Sequence, residues 1–273
     1  MKKKIGVTGA GGYIGRALMM QPNTVAITSD IRDAEKLEME IKSINPDLVV
    51  HLAAITDIDK CENPLNETLV KDVNVVGTFN VGNICMKMGI GMIFMSSFQV
   101  FDGKKWFGRA YGEDAVPSPV NFYGLSKLTG ESYQAVYPQM KIIRAPYIFD
   151  WERLNPAIEV LGHSDQEYPT FFTRSFMHLN HFIDSLLYYI SQFDRMPPIL
   201  NISTSDTVSW FQFMSGVVSA LMLDHDALPR TKENMDFKTP KPYKGGLKPN
   251  LSYSLGFECY SYLDGIELLR QGL

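Results

Sequence analysis

Gly9, Gly12 and Gly15 recur every third residue in Thr8-Gly9-Ala10-Gly11-Gly12-Tyr13-Ile14-Gly15. They follow the short apolar run Lys4-Ile5-Gly6-Val7 and precede Ile14, Ala17 and Leu18, which share one helical face. A buried strand, a tight glycine turn and a helix start in that order open a βαβ unit, so a parallel sheet should follow. The glycines let the backbone turn sharply or approach a pyrophosphate, and the helix N-terminus offers unpaired N–H groups to it. The turn, with Tyr13 and Ile14 at the head of the helix, is the expected seat of a dinucleotide.

The rest of the chain supports that start. Val25-Ala26-Ile27 reads as a second strand, Ala34 to Ile44 as a helix, and Leu48-Val49-Val50-His51-Leu52 as a strand. That last run alternates little, as expected of a parallel strand covered on both faces. A long helix is predicted over roughly Asn66 to Met88, then strands over Met92–Met95 and Lys141–Arg144. The fold class is α/β: a Rossmann-type doubly wound parallel sheet with a smaller C-terminal substrate lobe. The expected division is a dinucleotide-binding core over 1–146 and a substrate lobe over 147–273, with 180–205 returning to the core. Helices are predicted over Asn180–Phe193 and Val208–Leu223, with a strand at Ile199–Ile202 between them. Asp102 to Pro119 is a long loop and a functional candidate on that ground. Leu228 to Asn250 reads as loop.

Tyr123 and Lys127 supply chemistry. Four residues apart on a helix, they share a face. A free phenol titrates at about 10, too high for ready proton exchange at neutral pH. A neighbouring ammonium favours the phenolate and makes the tyrosine a usable acid/base.

Composition removes several alternatives. The 273 residues carry a formal net charge of -4, which gives no support to nucleic-acid binding. Lys2-Lys3-Lys4 reads as a solvated terminus. Three widely spaced cysteines, Cys61, Cys85 and Cys259, suggest a reducing compartment and neither disulfides nor a zinc site, so no metal is expected. No apolar core follows the N-terminal lysines, so no signal peptide is expected. The longest apolar stretch, Met86 to Phe101, is broken by Lys87, Gly89, Gly91 and two serines, so no membrane span is expected. The expected location is the cytoplasm.

The choice between NAD and NADP stays open. An acidic residue at the end of the second strand ordinarily binds the adenosine ribose. Here that strand ends in Thr28-Ser29, and Asp30-Ile31-Arg32-Asp33 follows. Asp30 is a candidate ribose ligand, or else an adenine contact with Ile31 packed on the ring. Arg32 reads more simply as surface charge. Both dinucleotides are expected to bind. His51, alone in an apolar strand, reads as a satisfied core residue. Leu52, Ala53 and Ala54 lie where the chain would pass the cofactor, and the two alanines permit close approach.

The glycine turn, His51-Leu52-Ala53-Ala54, Asn74-Val75-x-Gly77-Thr78-x-Asn80, Ser96-Ser97 and Tyr123-Gly-x-Ser-Lys127-x-x-Gly130-Glu131 together resemble the extended short-chain dehydrogenase/reductase superfamily. Within it the chain is most similar to dTDP-4-dehydrorhamnose reductases. That likeness rests on Ala54-x-Thr56-x-x-Asp59-Lys60-x-Glu62, Val100-Phe101-Asp102-Gly103, Tyr111-x-Glu113-Asp114, Pro117 to Tyr123, and Ser209-Trp210-Phe211-x-Phe213. It is tight to about Arg144 and looser beyond.

The resemblance implies that Tyr123 protonates a sugar carbonyl oxygen and that Lys127 assists it and holds the nicotinamide ribose. It places a hydroxyl on the reacting oxygen at Ser97, with Ser96 the neighbouring alternative, and adds Asn74 and Ser96 to the cofactor contacts. Thr56, Asp59, Gln99 and Arg174 are candidate substrate contacts, with Lys60 and Glu62 at the rim. Phe98-Gln99 replaces the acid pair that nucleotide-sugar dehydratases use, which disfavours water elimination. The segment between the second and third strands is shorter than usual. Phe176-Met177-His178-Leu179-Asn180-His181 lacks the family's acidic pair. Glu131 reads as serving a helix pair or an interface.

The expected activity is NAD(P)H-dependent reduction of a nucleotide-activated keto-deoxysugar. A nucleotide-sugar epimerase and a non-catalytic regulatory subunit, such as the partner of methionine adenosyltransferase, are the alternatives. Arg109, Tyr111 and Glu113 should border the sugar, and Arg144, Arg174 and the Lys238–Lys248 stretch should supply cations for a diphosphate. A homodimer is left open.

Overall fold

The computed structural model describes residues 3–105, 109–231 and 239–271. Lys2, at the predicted solvated terminus, and Lys238, in the predicted cationic stretch, lie outside them.

The chain begins with β1 (Ile5–Thr8), α1 (Tyr13–Met19), β2 (Thr24–Ile27), α2 (Ala34–Ile44) and β3 (Leu48–His51). Two short helices follow, α3 (Ile58–Glu62) and α4 (Glu67–Lys71). A π-helical turn over Asp72–Gly77 joins α4 to α5 (Thr78–Met88), so the predicted long helix is widened in its middle. Next come β4 (Gly91–Ser97), a 3₁₀ turn at Phe98–Val100, α6 (Phe122–Ser132) and β5 (Met140–Ala145).

The later elements are β6 (Tyr147–Phe149), α7 (Trp151–Leu161), β7 (Gln166–Pro169), β8 (Thr173–Arg174), β9 (Phe176–His178) and α8 (Leu179–Ser191). They end with β10 (Ile199–Asn201), β11 (Val208–Ser209), α9 (Trp210–Leu221), β12 (Ala227–Arg230), α10 (Asn250–Ser254) and α11 (Tyr262–Gln271). β12 thus runs into the start of the predicted loop from Leu228.

The central sheet is parallel, six strands in the order β10-β5-β4-β3-β1-β2. β1 and β3 are buried along their whole length, and β4 at every residue but its first, which accounts for their unbroken apolar runs. The short segment between β2 and β3 leaves no outer strand beyond β2, so β2 forms the sheet edge. Leu37 and Ile41 of α2, Val81, Ile84 and Cys85 of α5, and Tyr133 and Tyr137 pack one core layer against Val49, Met92, Phe94 and Ile142.

Two compact units emerge. The first comprises Met1–Val100, Pro117–Arg144 and Gln192–Leu200. The second comprises Phe101–Val116, Ala145–Ser191 and Asn201–Leu273. The chain therefore crosses between units more often than a cut at residue 146 allows, and the helix α8 groups with the second unit. That unit has its own core, in which Phe176 and Phe213 stack with ring centroids 4.1 Å apart and Phe149, Leu154, Val217, Ile266 and Leu269 close around them. No helix among the described residues is long and apolar enough to cross a membrane.

Candidate active site

Parallel register brings the candidate loops to one edge of the sheet. Thr8 pairs with His51, and His51 with Phe94, so the glycine turn, Leu52–Ala54 and Ser96–Ser97 all leave the C-terminal edge together. Strand order reverses between β1 and β3, and open α/β sheets bind ligands at such a switch point. Gly9 has φ +67°, and a β-carbon there would strike the backbone of Ala53. The turn and the alanine loop therefore approach more closely than side chains would allow. Gly12 caps α1 without a side-chain bond, and Gly15 is buried against the Gly9 carbonyl. Tyr13 and Ile14 begin the helix, so N–H groups of its first turn face the glycine turn. A compact, side-chain-free cradle with donors fits a pyrophosphate.

His51 explains how the edge is held. It is fully buried, bridges Thr8 Oγ1 at 2.7 Å and Thr78 Oγ1 at 3.0 Å, and ties β1, β3 and α5 together. Burial, aided by the Lys127 charge, draws its pKa down to about 3, so it is neutral. It is the satisfied core histidine expected from the sequence.

The helix α6 carries Tyr123 and Lys127 in its first two turns. Asn121 caps it, its side chain accepting the Gly124 N–H at 2.7 Å, and Glu62 accepts the Phe122 N–H. A carboxylate at a helix N-terminus also suits the helix dipole. Asn121 Nδ2 donates to Gln99 Oε1 at 3.1 Å, which fixes the helix to the turn after β4. A β-carbon at Gly124 would collide with the Gln99 carbonyl oxygen, so the helix sits directly on that turn. This seat brings the first turn of α6 to the end of the strand that carries Ser97.

Tyr123 is 8% exposed and packs with Cys61, Val70 and Ile55. Lys127 is 3% exposed, with Nζ 4.3 Å from the centre of the Phe94 ring. Burial lowers the Lys127 pKa to about 7, opposed by the Glu131 carboxylate one turn along. Ser97 Oγ accepts the Gln99 N–H at 3.3 Å; its own proton can still be donated.

Other expectations change. Ser96 donates to Glu131 Oε1 at 2.5 Å in the interior, so it is no alternative to Ser97 at the reacting oxygen. Glu131 also receives Arg144 Nε at 3.0 Å and Nη2 at 2.7 Å, both partners being buried. Glu131 is thus an internal brace between α6, β4 and β5, and Arg144 is no diphosphate cation. Asn74 is buried; it accepts the Ile55 N–H at 2.8 Å and donates to the Ile55 carbonyl and Ser126 Oγ, each at 3.0 Å. It positions the loop after β3 against α6. Ile31 is buried in the core cluster that includes Leu37 and Ile41 of α2 and Val81 of α5. Asp30 is exposed and chelates Arg32, with Nη2 to Oδ2 at 2.5 Å, and that bond holds its carboxyl at about 2.

The substrate candidates belong to both units. Thr56, on the segment before α3, and Asp59, in the first turn of α3, are exposed, and Gln99 is buried beneath α6. Arg174, in the second unit, is buried, donates to the Pro242 carbonyl at 3.2 Å and lies 4.8 Å from the Phe172 ring centre. Tyr111 donates to Asp102 at 2.6 Å and stacks on Phe101, and Glu113 accepts the Asn201 N–H at 3.0 Å. Those two residues brace their loop; Arg109 is exposed. Ser209 and Gln212 form a reciprocal capping box for α9, which gives that matched motif a structural reason.

The family described as the RmlD substrate binding domain matches residues 3–258. The chain belongs to that family. The spore coat polysaccharide biosynthesis protein SpsK of Bacillus subtilis is 27% identical over 258 residues, covering 88% of this chain and 87% of that protein. The dTDP-4-dehydrorhamnose reductase of Mycolicibacterium smegmatis is 33% identical over 158 residues, covering 55% of this chain and 47% of the reductase. The match thus spans about half of that relative. The structure of dTDP-4-dehydrorhamnose reductase from Bacillus anthracis in complex with NADP shares the fold, with TM-score 0.90, 22% identity and 100% coverage of both chains.

For this RmlD-family chain, sequence reasoning did not read Asn121 as the cap of α6, nor its bond to Gln99. Asn121 at a helix start is a recognisable cap signal. Glu62, matched in the sequence only as a rim residue, reaches the Phe122 N–H sixty residues away, and nothing local in the sequence marks that bond.

Proposed function

We propose that the protein is an NAD(P)H-dependent reductase of a nucleotide-activated keto-deoxysugar of the dTDP-4-dehydrorhamnose kind. The observation that carries this reading is the seat of α6: Gly124 and Asn121 rest on the turn that follows Ser97, and Tyr123 and Lys127 are buried in the first two turns of that helix. A bound reduced dinucleotide supplies hydride to the carbonyl carbon. Gly9, Gly12 and Gly15 with the first N–H groups of α1 would hold its pyrophosphate, and Leu52, Ala53 and Ala54 would line its path.

The chain's own part is proton delivery and charge control. Tyr123 gives its phenolic proton to the carbonyl oxygen as negative charge grows there. Ser97 donates a hydrogen bond to the same oxygen, which favours the reacting state over the resting carbonyl. Lys127, charged below about pH 7, favours the phenolate that Tyr123 leaves behind.

The test is turnover. Purified protein, dTDP-4-dehydrorhamnose and either reduced dinucleotide should give stoichiometric oxidation of the dinucleotide and a reduced sugar. Interconversion of sugars without net dinucleotide consumption would establish an epimerase instead. Dinucleotide binding with neither outcome, across dTDP- and UDP-linked keto sugars, would favour the regulatory alternative.

A further inference from the structure

The end of β2 lies beside the glycine turn, because Ile27 pairs with Thr8. In this fold that position reads the adenosine ribose: a carboxylate accepts from the 2′-hydroxyl, and basic or N–H donors receive a 2′-phosphate. The two residues after β2, Thr28 and Ser29, offer such donors. All of them go to one side chain from the middle of α2. Glu40 Oε1 accepts the Thr28 N–H at 2.9 Å and the Thr28 hydroxyl at 2.8 Å, and Oε2 accepts the Ser29 N–H at 2.7 Å. Partial burial works to raise the Glu40 pKa, but these bonds outweigh it and hold the carboxyl at about 2. The group is therefore ionised at any physiological pH.

A second feature points the same way. Beside this turn lies an open depression of about 430 Å³ lined by Asp30, Arg32, Asp33, Asp72 and Val76. Of the three carboxylates in the lining, Asp30 chelates the Arg32 guanidinium and Asp33 pairs with Lys36 Nζ at 2.9 Å, so the nearby cations are engaged and one negative charge is left over. A phosphate entering here would find its donors taken and the local charge negative. A hydroxyl would find acceptors.

We infer that Glu40 sets cofactor choice: its carboxylate fills the anion-accepting turn after β2, excludes a 2′-phosphate, and makes this protein prefer NAD(H) to NADP(H). The inference rests on the dinucleotide reading above. It sharpens the expectation that both cofactors bind, because the acid absent from the strand arrives from the following helix.

The experiment is fluorescence titration of wild type, Glu40→Gln and Glu40→Ala with NADH and NADPH at low and high salt. Wild type should favour NADH by about tenfold or more, roughly the 1.4 kcal/mol of a single decade. Added salt should narrow the gap, since the discrimination is partly electrostatic. Glu40→Gln should strengthen NADPH about tenfold with NADH changed less than about threefold, and Glu40→Ala should move the ratio the same way. Should the variants fail to fold, competition on wild type by 5′-AMP against 2′,5′-ADP decides, with 5′-AMP expected to be the stronger. Wild type that prefers NADPH, an unmoved ratio, or parallel weakening of both dinucleotides would overturn the inference while leaving the reductase reading intact. Failure of wild type to bind either dinucleotide would overturn both.

Discussion

Lys127 carries two opposed demands. The sequence argument needs it charged, to lower the Tyr123 phenol; the structure buries it, which disfavours that charge. The Phe94 ring and the Glu131 carboxylate offset part of the cost. Because the folded-state pKa, about 7, lies below the ordinary lysine value of 10.5, the unfolded chain binds more protons between those values. Stability should therefore rise with pH across that window. Lys127→Met removes the burden, so it should stabilise the cofactor-free protein most near pH 6 and progressively less towards pH 10. Denaturant melts of both proteins across that range check the sign; a gain that grows with pH would mean Lys127 is not desolvated as described. The same variant should lose turnover. Tyr123→Phe, by contrast, should keep fold and dinucleotide affinity while turnover drops by about 10²–10⁴-fold, the usual range for a positioned acid/base. Both residues were legible in the sequence because helical spacing is a local signal. Glu131 was not: a charged residue one turn past a lysine looks like a surface pair, and only tertiary folding brings Arg144 and Ser96 to it.

At the scale of elements, what matters is how closely α6 is seated. Gly124 sits where a β-carbon would strike the Gln99 carbonyl. Gly124→Ala should therefore lift the first turn of α6 off the turn after β4, at a cost of about 1–3 kcal/mol typical of overpacking. Turnover should fall further than stability implies, since Tyr123 moves with the turn. Urea titration and kinetics on one preparation separate the two effects; unchanged turnover at reduced stability would place the seat outside the mechanism. The π-helical turn Asp72–Gly77 works similarly on the other side. One residue more per turn lets Asn74 reach both polar groups of the Ile55 backbone. Helix periodicity read the segment as continuous because apolar spacing does not register a single widened turn. The sheet strands, with long apolar runs, and α2, matching to the residue, were readable for the opposite reason: their pattern is local and regular.

For the molecule as a whole, ligand linkage gives the broadest check. A dinucleotide at a hundred times its Kd should stabilise the native state by about 2.7 kcal/mol, and dTDP or UDP should add to that if the nucleotide-sugar reading holds. A melting-temperature panel with cofactor saturating, in which no nucleoside diphosphate shifts the transition at millimolar concentration, would remove that substrate class. The division into units was the least legible feature. Weak periodicity after Pro146 marks where the second unit starts, but the excursion at 101–116 and the return at 192–200 are set by tertiary partners. That return has a consequence for synthesis. The outermost strand on one side of the central sheet, β10, comes from residues 199–201 and pairs with β5, which ends at Ala145. On the ribosome, β5 must wait for more than fifty further residues to emerge before its free edge is covered. A chain cut after Pro146 would keep the glycine turn, Tyr123 and Lys127, yet present that edge permanently to its own copies.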